Sequence, residues 1–360
     1  MFKGVRFRIY PNKEQERKIN STLGCCRFVY NKFLSLRDAA YEKGEFLGYA
    51  KTATMLTQLK KKDEYKFLKK ASAVALRQAL WDLDKAYRNF FSKRAKHPQF
   101  KKKRGRQSYR ISNTVKRMIA DKNHIKVPKL GLVRFKQTLE VGHIRTGTII
   151  KTATGKYYIA LDYEFEPERA PVTEKRIGID VGIKVFYTDS NGNTVNNPKY
   201  LEKKEVLLKR AQRRLARKKV KSNNRKKQRI RVARIYEKIC EQRRDFLQKQ
   251  STMLVRENQT ICVEDLLIKG LLKNHHLARA ISSVSWAKFF QMLEYKAKWY
   301  GRNLIKIPQN YPSSQICHNC GYKHNKVAKL HVRRWECPNC HIINDRDVNA
   351  SINILNKGLA

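Results

Sequence analysis

"RIGIDVGIKVFYTDSNG", residues 176 to 192, alternates β-branched residues with others before an Asn-Gly turn signal. With a period of two, Ile177, Ile179, Val181 and Ile183 share one face of a strand, and Gly178, Asp180 and Gly182 share the other. An acid set between two residues without side chains has open space beside it, enough for a metal ion and a phosphate backbone. For Asp180 read alone, a strand-end charge is the competing explanation. Further along, "TICVEDLLI" (260 to 268) reads as a second strand in which Ile261 and Val263 point one way and Cys262 and Glu264 the other. A third acid stands in "DRDVNASINILNKG" (345 to 358), where Val348, Ile352 and Leu355 form a helical stripe and Gly358 suits a helix stop. Asp347 falls in the first turn of that helix, where a carboxylate can also serve as a cap and nothing more.

Two strands and a helix start bring three acids together only in a mixed sheet flanked by helices. Clustered carboxylates repel one another, and hard divalent cations such as Mg2+ or Mn2+ relieve that repulsion. Two such ions about 3.5 to 4 Å apart activate a water and stabilise the leaving oxygen in phosphodiester hydrolysis.

The charge balance supplies a matching substrate. The chain has 360 residues, with 80 Lys and Arg against 30 Asp and Glu, a formal charge of +50. Such self-repulsion calls for a polyanion, and nucleic acid fits better than a membrane, because no stretch offers the ~18 apolar residues of a spanning helix. "MFKGVRFRIYPNKEQ" at the N-terminus lacks the apolar core of a signal peptide, so the expected setting is the reducing interior of a cell. Residues 203 to 234 carry sixteen Lys or Arg and one Glu. Like charges at helical spacing destabilise an isolated helix, so this run gains most when phosphates lie along it, with Arg210, Arg213, Arg214, Arg217, Lys218 and Lys219 as candidate contacts. The alternative is a solvated basic face.

Four of the eight cysteines fall in two tight pairs, Cys317 and Cys320, then Cys337 and Cys340, sixteen residues apart. This spacing predicts a tetrahedral zinc site, and four thiolates make it closed and structural. Gly321 and Pro338 suit the turns. His318, His324, His331 and His341 are possible substitute ligands, but the favoured reading has them facing solvent. Cys25, Cys26, Cys240 and Cys262 read as packing residues.

The rest of the chain divides by period. Phe2, Val5, Phe7 and Ile9 suggest a strand ending at Pro11, and Asn12 with Gln15 forms a capping-box pair. A helical pattern follows to about residue 95, with Gly24 and Gly44 as expected breaks and Leu76, Leu80, Leu83 and Tyr87 as a core stripe. After "KKKRGR" (101 to 106), alternating segments with Gly turns suggest a small antiparallel β domain, and a boundary is expected near residue 170. An amphipathic helix from about Ser285 carries Trp286, Phe289, Leu293, Ala297 and Tyr300.

"GIDVGIK", "VEDL", "YPSSQICHNCG", "CPNC" and "DRDVNASINI", in that order, resemble the nuclease half of the TnpB family, insertion-sequence proteins related to type V CRISPR effectors. "FRIYPNKEQERKINSTLGCCRFVYN" and "HPQFKKKR" resemble its N-terminal half, so the resemblance covers nearly the whole chain. It implies a multidomain α+β fold: an RNase H-like (RuvC) nuclease domain with an inserted zinc ribbon, plus an N-terminal β-barrel wedge domain with a helical recognition insertion. On this sequence that means a first barrel strand at 1–10, the helical insertion at 11–100 and the rest of the barrel at 101–170. The nuclease domain would then run over 171–312 and 342–360, with the ribbon at 313–341 between its two parts. The resemblance implies RNA-guided cleavage of double-stranded DNA beside a short target-adjacent motif, with a guide RNA from the transposon end. It makes Asp180, Glu264 and Asp347 the catalytic acids that hold Mg2+ or Mn2+, and gives Asp345 a supporting or surface role. It places the protein in a prokaryotic cytoplasm, at the nucleoid when on target, and leaves a homodimer open. The ribbon's knot would fix the chain's path and bring Asp347 to the other acids.

Three other readings compete: a non-catalytic nucleic-acid-binding regulator with the same fold, an unguided structure-selective nuclease, and a classical transposase. Intact acids argue against the first, and the long basic N-terminal half argues against the second. No independent signal favours the third.

Overall fold

The structure, a computed structural model, describes residues 1–112, 118–167, 169–329 and 331–360. Its contacts divide into two compact units, Met1–Glu166 and Pro167–Ala360. Among the described residues no helix is long and apolar enough to cross a membrane.

In the first unit, β1 (Phe2–Tyr10) is followed by three helices, α1 (Lys13–Glu42), α2 (Tyr49–Leu59) and α3 (Ala73–Phe91), before the chain returns to strands. These are β2 (Gln107–Ser112), β3 (Ile119–Asp121), β4 (His124–Val127), β5 (Gly131–Lys136), β6 (Ile144–Lys151) and β7 (Tyr157–Glu164). All seven belong to one antiparallel sheet in the order β2-β6-β7-β1-β5-β4-β3. Alternation works as expected in β1: Phe7 and Ile9 are buried while Arg6 and Tyr10 face out. The capping box at Asn12 and Gln15 forms, and the Gln15 amide also donates to the Leu130 and Leu132 carbonyls, tying the helix start to the sheet. Gly24 does not break α1. It lies inside the helix with open space around it, because one glycine costs only about 1 kcal/mol and the buried face on either side is continuous. Gly44, at φ +78°, does follow the helix end.

The second unit opens with β8 (Arg176–Val181), β9 (Val185–Asp189) and β10 (Thr194–Asn196), then α4 (Tyr200–Ala216) and α5 (Asn223–Glu257). It continues through β11 (Thr260–Glu264), α6 (Ile268–Leu271), α7 (Ala278–Val284), α8 (Trp286–Tyr300) and β12 (Asn303–Ile307), then β13 (Arg334–Glu336), β14 (Ile343–Asp345) and α9 (Arg346–Leu359). The central sheet is mixed, in the order β10-β9-β8-β11-β12, with β11 parallel to both β8 and β12. Ile177, Ile179, Ile261 and Val263 line one face and pack on α5 and α8 through Leu254, Val255, Phe289 and Leu293. The opposite face, with Gly178 and Cys262, receives α9.

That second contact corrects the expectation of free space beside Asp180. A Cβ on Gly178 would lie 2.1 Å from the Ser351 carbonyl oxygen and 2.7 Å from the Leu355 nitrogen, so α9 already fills the room the glycine leaves. Gly358 has the same use, since its Cβ would meet Cys262 Sγ at 2.4 Å; it sits within α9 and does not stop it. Both glycines are needed for close approach of the helix to the sheet. Cys240 is another correction: it is exposed on α5, whereas Cys25, Cys26 and Cys262 are buried as expected.

Candidate active site

Asp180 and Glu264 lie near the C-terminal ends of the adjacent parallel strands β8 and β11, whose register pairs Ile177 with Ile261 and Ile179 with Val263. One step beyond the last pair, both acids leave the sheet on the face that carries α9. The helix starts there, so Asp347 in its first turn comes to the same end of the sheet. The cap is Asp345, not Asp347: its carboxylate accepts from the Asp347 and Val348 backbone N–H groups at 3.0 and 3.1 Å. This frees the Asp347 carboxylate from the helix end, and Arg333 Nη1 donates to both of its oxygens at 3.1 and 3.3 Å.

The electrostatics register the convergence. Burial, then the Glu264 and Asp347 carboxylates, push the Asp180 carboxyl well above its ordinary range, and Arg346 and Arg333 offset part of that. Burial also raises Glu264, against the pull of a 2.6 Å hydrogen bond from the Ser313 hydroxyl. The gathering is looser than a single-ion cage. Among the described residues, the four cysteines alone bring three or more ligand atoms of His, Cys, Asp or Glu within 4.8 Å of one another.

Those cysteines fit zinc. Cys317 and Cys340 sulfurs lie 3.6 Å apart and Cys320 and Cys337 sulfurs 3.5 Å, close to the ~3.8 Å that a tetrahedron of 2.3 Å Zn–S bonds requires. The two knuckles repeat one backbone pattern: Cys317 and Cys337 N–H donate to the Tyr322 and Ile342 carbonyls, and Gly321 and His341 N–H donate back to the two cysteine carbonyls. Gly321 and His341 occupy the equivalent left-handed positions, at φ +74° and +59°. His318, expected to face solvent, is half-buried: its Nδ1 lies 2.9 Å from Asn344 Oδ1 and 3.1 Å from Asn349 Oδ1.

Several polar residues around the acids escaped the sequence reading. Asn349 and Asn353, one turn apart on α9 and both buried, donate to the Ser313 and Ile316 carbonyls, and Asn349 Oδ1 accepts from His318 N–H at 2.8 Å. Asn344 reaches Cys317 Sγ at 3.7 Å. In "DVNASIN" these asparagines stand one position beyond Val348 and Ile352 of the apolar stripe, and that i, i+4 pair was the available signal.

The basic run is not one helix. It spans α4, a turn at 217–222 and the start of α5, and the two helices pack through Leu208, Ala211 and Val232. Arg225 closes the turn by donating to the Leu215 and Lys218 carbonyls, both at 2.8 Å. Arg210, Arg213, Arg214, Arg217, Lys218 and Lys219 are all exposed, and among the described residues none forms an ion pair. Glu205, the run's one acid, is held down to about 2 by Arg279 and Lys209.

Comparison with known proteins gives the family of the chain. Over 369 residues the chain is 40% identical to a protein of Streptomyces pristinaespiralis named "Putative RNA-guided DNA endonuclease", covering 99% of this chain and 90% of the relative. The chain belongs to the TnpB family. An Escherichia coli (strain K12) relative, "Putative RNA-guided DNA endonuclease InsQ", is 31% identical over 99% of this chain and 92% of its own length. Family models match residues 160–275 ("Probable transposase"), 286–354 ("Cas12f1-like, TNB domain") and 1–45 ("Helix-turn-helix domain"). Over 1–45 the structure has one strand and one long helix, β1 and α1. The chain in the solved structure "Cryo-EM structure of the Cas12f1-sgRNA-target DNA complex" aligns over 99% of both chains at 15% identity, with a TM-score of 0.39.

Proposed function

We propose that this family member is an RNA-guided DNA endonuclease whose hydrolytic centre consists of Asp180, Glu264 and Asp347. The observation that carries this reading is the meeting of three acids from β8, β11 and α9 at one end of a mixed sheet, with Asp180 destabilised as an anion by burial and by the other two. Carboxylates left in mutual repulsion are the donor set of hard divalent ions such as Mg2+ or Mn2+. Such ions, when bound, supply an activated water and charge stabilisation at the leaving oxygen. The chain's own contribution is positional. The sheet register sets Asp180 beside Glu264, Gly178 lets α9 approach, and Asp345 caps the helix, which leaves the Asp347 carboxylate to accept from Arg333 at that end of the sheet.

The remaining assignments follow from this reading. Zn2+ in the Cys317, Cys320, Cys337 and Cys340 site holds a ribbon at 313–341. The first unit serves as a wedge barrel at 1–10 and 101–170 with its helical recognition insertion at 11–100. The exposed arginines and lysines at 210–219 follow the backbone of the guide RNA or of its heteroduplex with target DNA, while base pairing reads sequence and protein groups read a short adjacent motif.

The test is to express the protein with its native flanking DNA, sequence the nucleic acid retained after a high-salt wash, and program that RNA against a target duplex. One RNA with a constant scaffold and a variable 3′ end, and metal-dependent cutting that Asp180→Ala abolishes, is the expected result. Heterogeneous RNA overturns the guided reading, and cutting that survives Asp180→Ala overturns the site.

A further inference from the structure

We infer that Ser313 is a positioning residue for Glu264, held in place by the same helix that carries Asp347. The inference rests on the nuclease reading above and adds a residue to it. Ser313 is buried, and its hydroxyl donates to Glu264 Oε1 at 2.6 Å, whereas Oε2 accepts no hydrogen bond among the described residues. A donor on one carboxylate oxygen fixes the plane of the group and would leave the other oxygen free to hold a divalent ion.

What holds Ser313 is unusual for a loop. Its carbonyl accepts from Asn353 Nδ2 at 2.8 Å and Asn349 Nδ2 at 3.5 Å, and three residues on, the Ile316 carbonyl accepts from the same two amides at 2.6 and 2.7 Å. Asn349 then accepts from the His318 N–H, inside the first cysteine knuckle. Two buried amides one turn apart on α9 therefore grip the backbone from Ser313 to His318. α9 sets Asp347 directly through its first turn and sets Glu264 indirectly through Ser313. Two of the three acids share one rigid reference, and the cysteine knuckle is fastened to that same reference.

Purely structural roles for Ser313 and for the amide grip predict a different outcome, and metal affinity separates them. Mn2+ binding is measured by electron spin resonance on the complex of the full chain with its RNA and an uncleavable target, for the unmodified protein, Ser313→Ala and Ser313→Thr. Zinc content and melting temperature are read on the same samples. The expected result is that Ser313→Ala binds Mn2+ about 10- to 100-fold more weakly, with zinc and melting temperature unchanged, and that Ser313→Thr, which restores a hydroxyl, recovers most of the affinity. Unchanged Mn2+ affinity in Ser313→Ala overturns the inference. So does loss of zinc or of folding in that variant, because the residue is then a structural one. Asp180→Ala serves as the reference: if it too binds Mn2+ normally, the nuclease site itself is misassigned, and if it alone loses Mn2+, only the role of Ser313 fails.

Discussion

Asp180, Glu264 and Asp347 gather like charges where two strands and a helix converge, whereas the α4–α5 hairpin spreads like charges along an exposed surface. The acids are held from several sides: strand register, a glycine contact, a helix cap, Ser313 and Arg333. Arg210, Arg213, Arg214, Arg217, Lys218 and Lys219 on the hairpin are exposed and, among the described residues, form no ion pair. Repulsion that is confined and braced stores a demand for a specific cation in a specific place. Repulsion left free along a surface stores a demand for any polyanion that can lie along it, and is satisfied by degrees. Substitutions in the first region should therefore act nearly all-or-none, and those in the second should add up.

The largest effect should come from Asp180→Ala, which we expect to slow cleavage by at least about a thousandfold in single-turnover assays while target binding stays within about threefold. A loss of binding as large as the loss of cleavage would erase the contrast between the regions. Replacing Cys317 and Cys320 by Ser should remove bound zinc, measured by elemental analysis, and reduce cleavage by about 100-fold without deleting an acid. Cleavage unaffected by zinc loss would mean that the knuckle does not brace the site. Gly178→Ala sets a methyl against the backbone of α9 and should cost about 3 kcal/mol of stability together with cleavage, while Gly24→Ala, in open space within α1, should add about 1 kcal/mol. Equal effects at the two glycines in chemical denaturation would contradict the close approach of α9.

On the hairpin, neutralising Arg210, Arg213, Arg214 and Arg217 to Gln one at a time should weaken binding stepwise for every target sequence. Each lost phosphate contact should flatten the slope of log affinity against log salt by about 0.7 to 0.9. Sequence-selective loss would instead make these residues readers of bases. The smallest effect sharpens the comparison from the other side. Asp180→Asn replaces a buried acid whose ionisation is opposed by burial and by two neighbouring carboxylates, and should raise the stability of the metal-free protein, seen as a higher melting temperature in chelator. No comparable gain should follow from removing one exposed arginine.

Where short-range periodicity governs, the sequence was readable. Alternation alone puts Asp180 and Glu264 opposite their β-branched neighbours, and the strands have that geometry; the cysteine spacing announces the cluster that forms. What stayed hidden depends on which element covers which face. Gly178 and Gly358 looked like open space and a helix stop because nothing local says that α9 lies against β8 and β11. The Ser313, Asn349 and Asn353 grip joins residues 36 and 40 positions apart, beyond the reach of any periodicity. His318 and Cys240 were misjudged for the same reason, since a residue type sets only the odds of burial.

The wide separation of the three acids along the chain also bears on folding. Asp180 and Asp347 come from opposite ends of the second unit, so their meeting closes one of its longest loops, and loop-closure entropy sets such a contact late in the expected order of folding. On that order of assembly, a partly folded chain would carry its basic charge before the three acids have met.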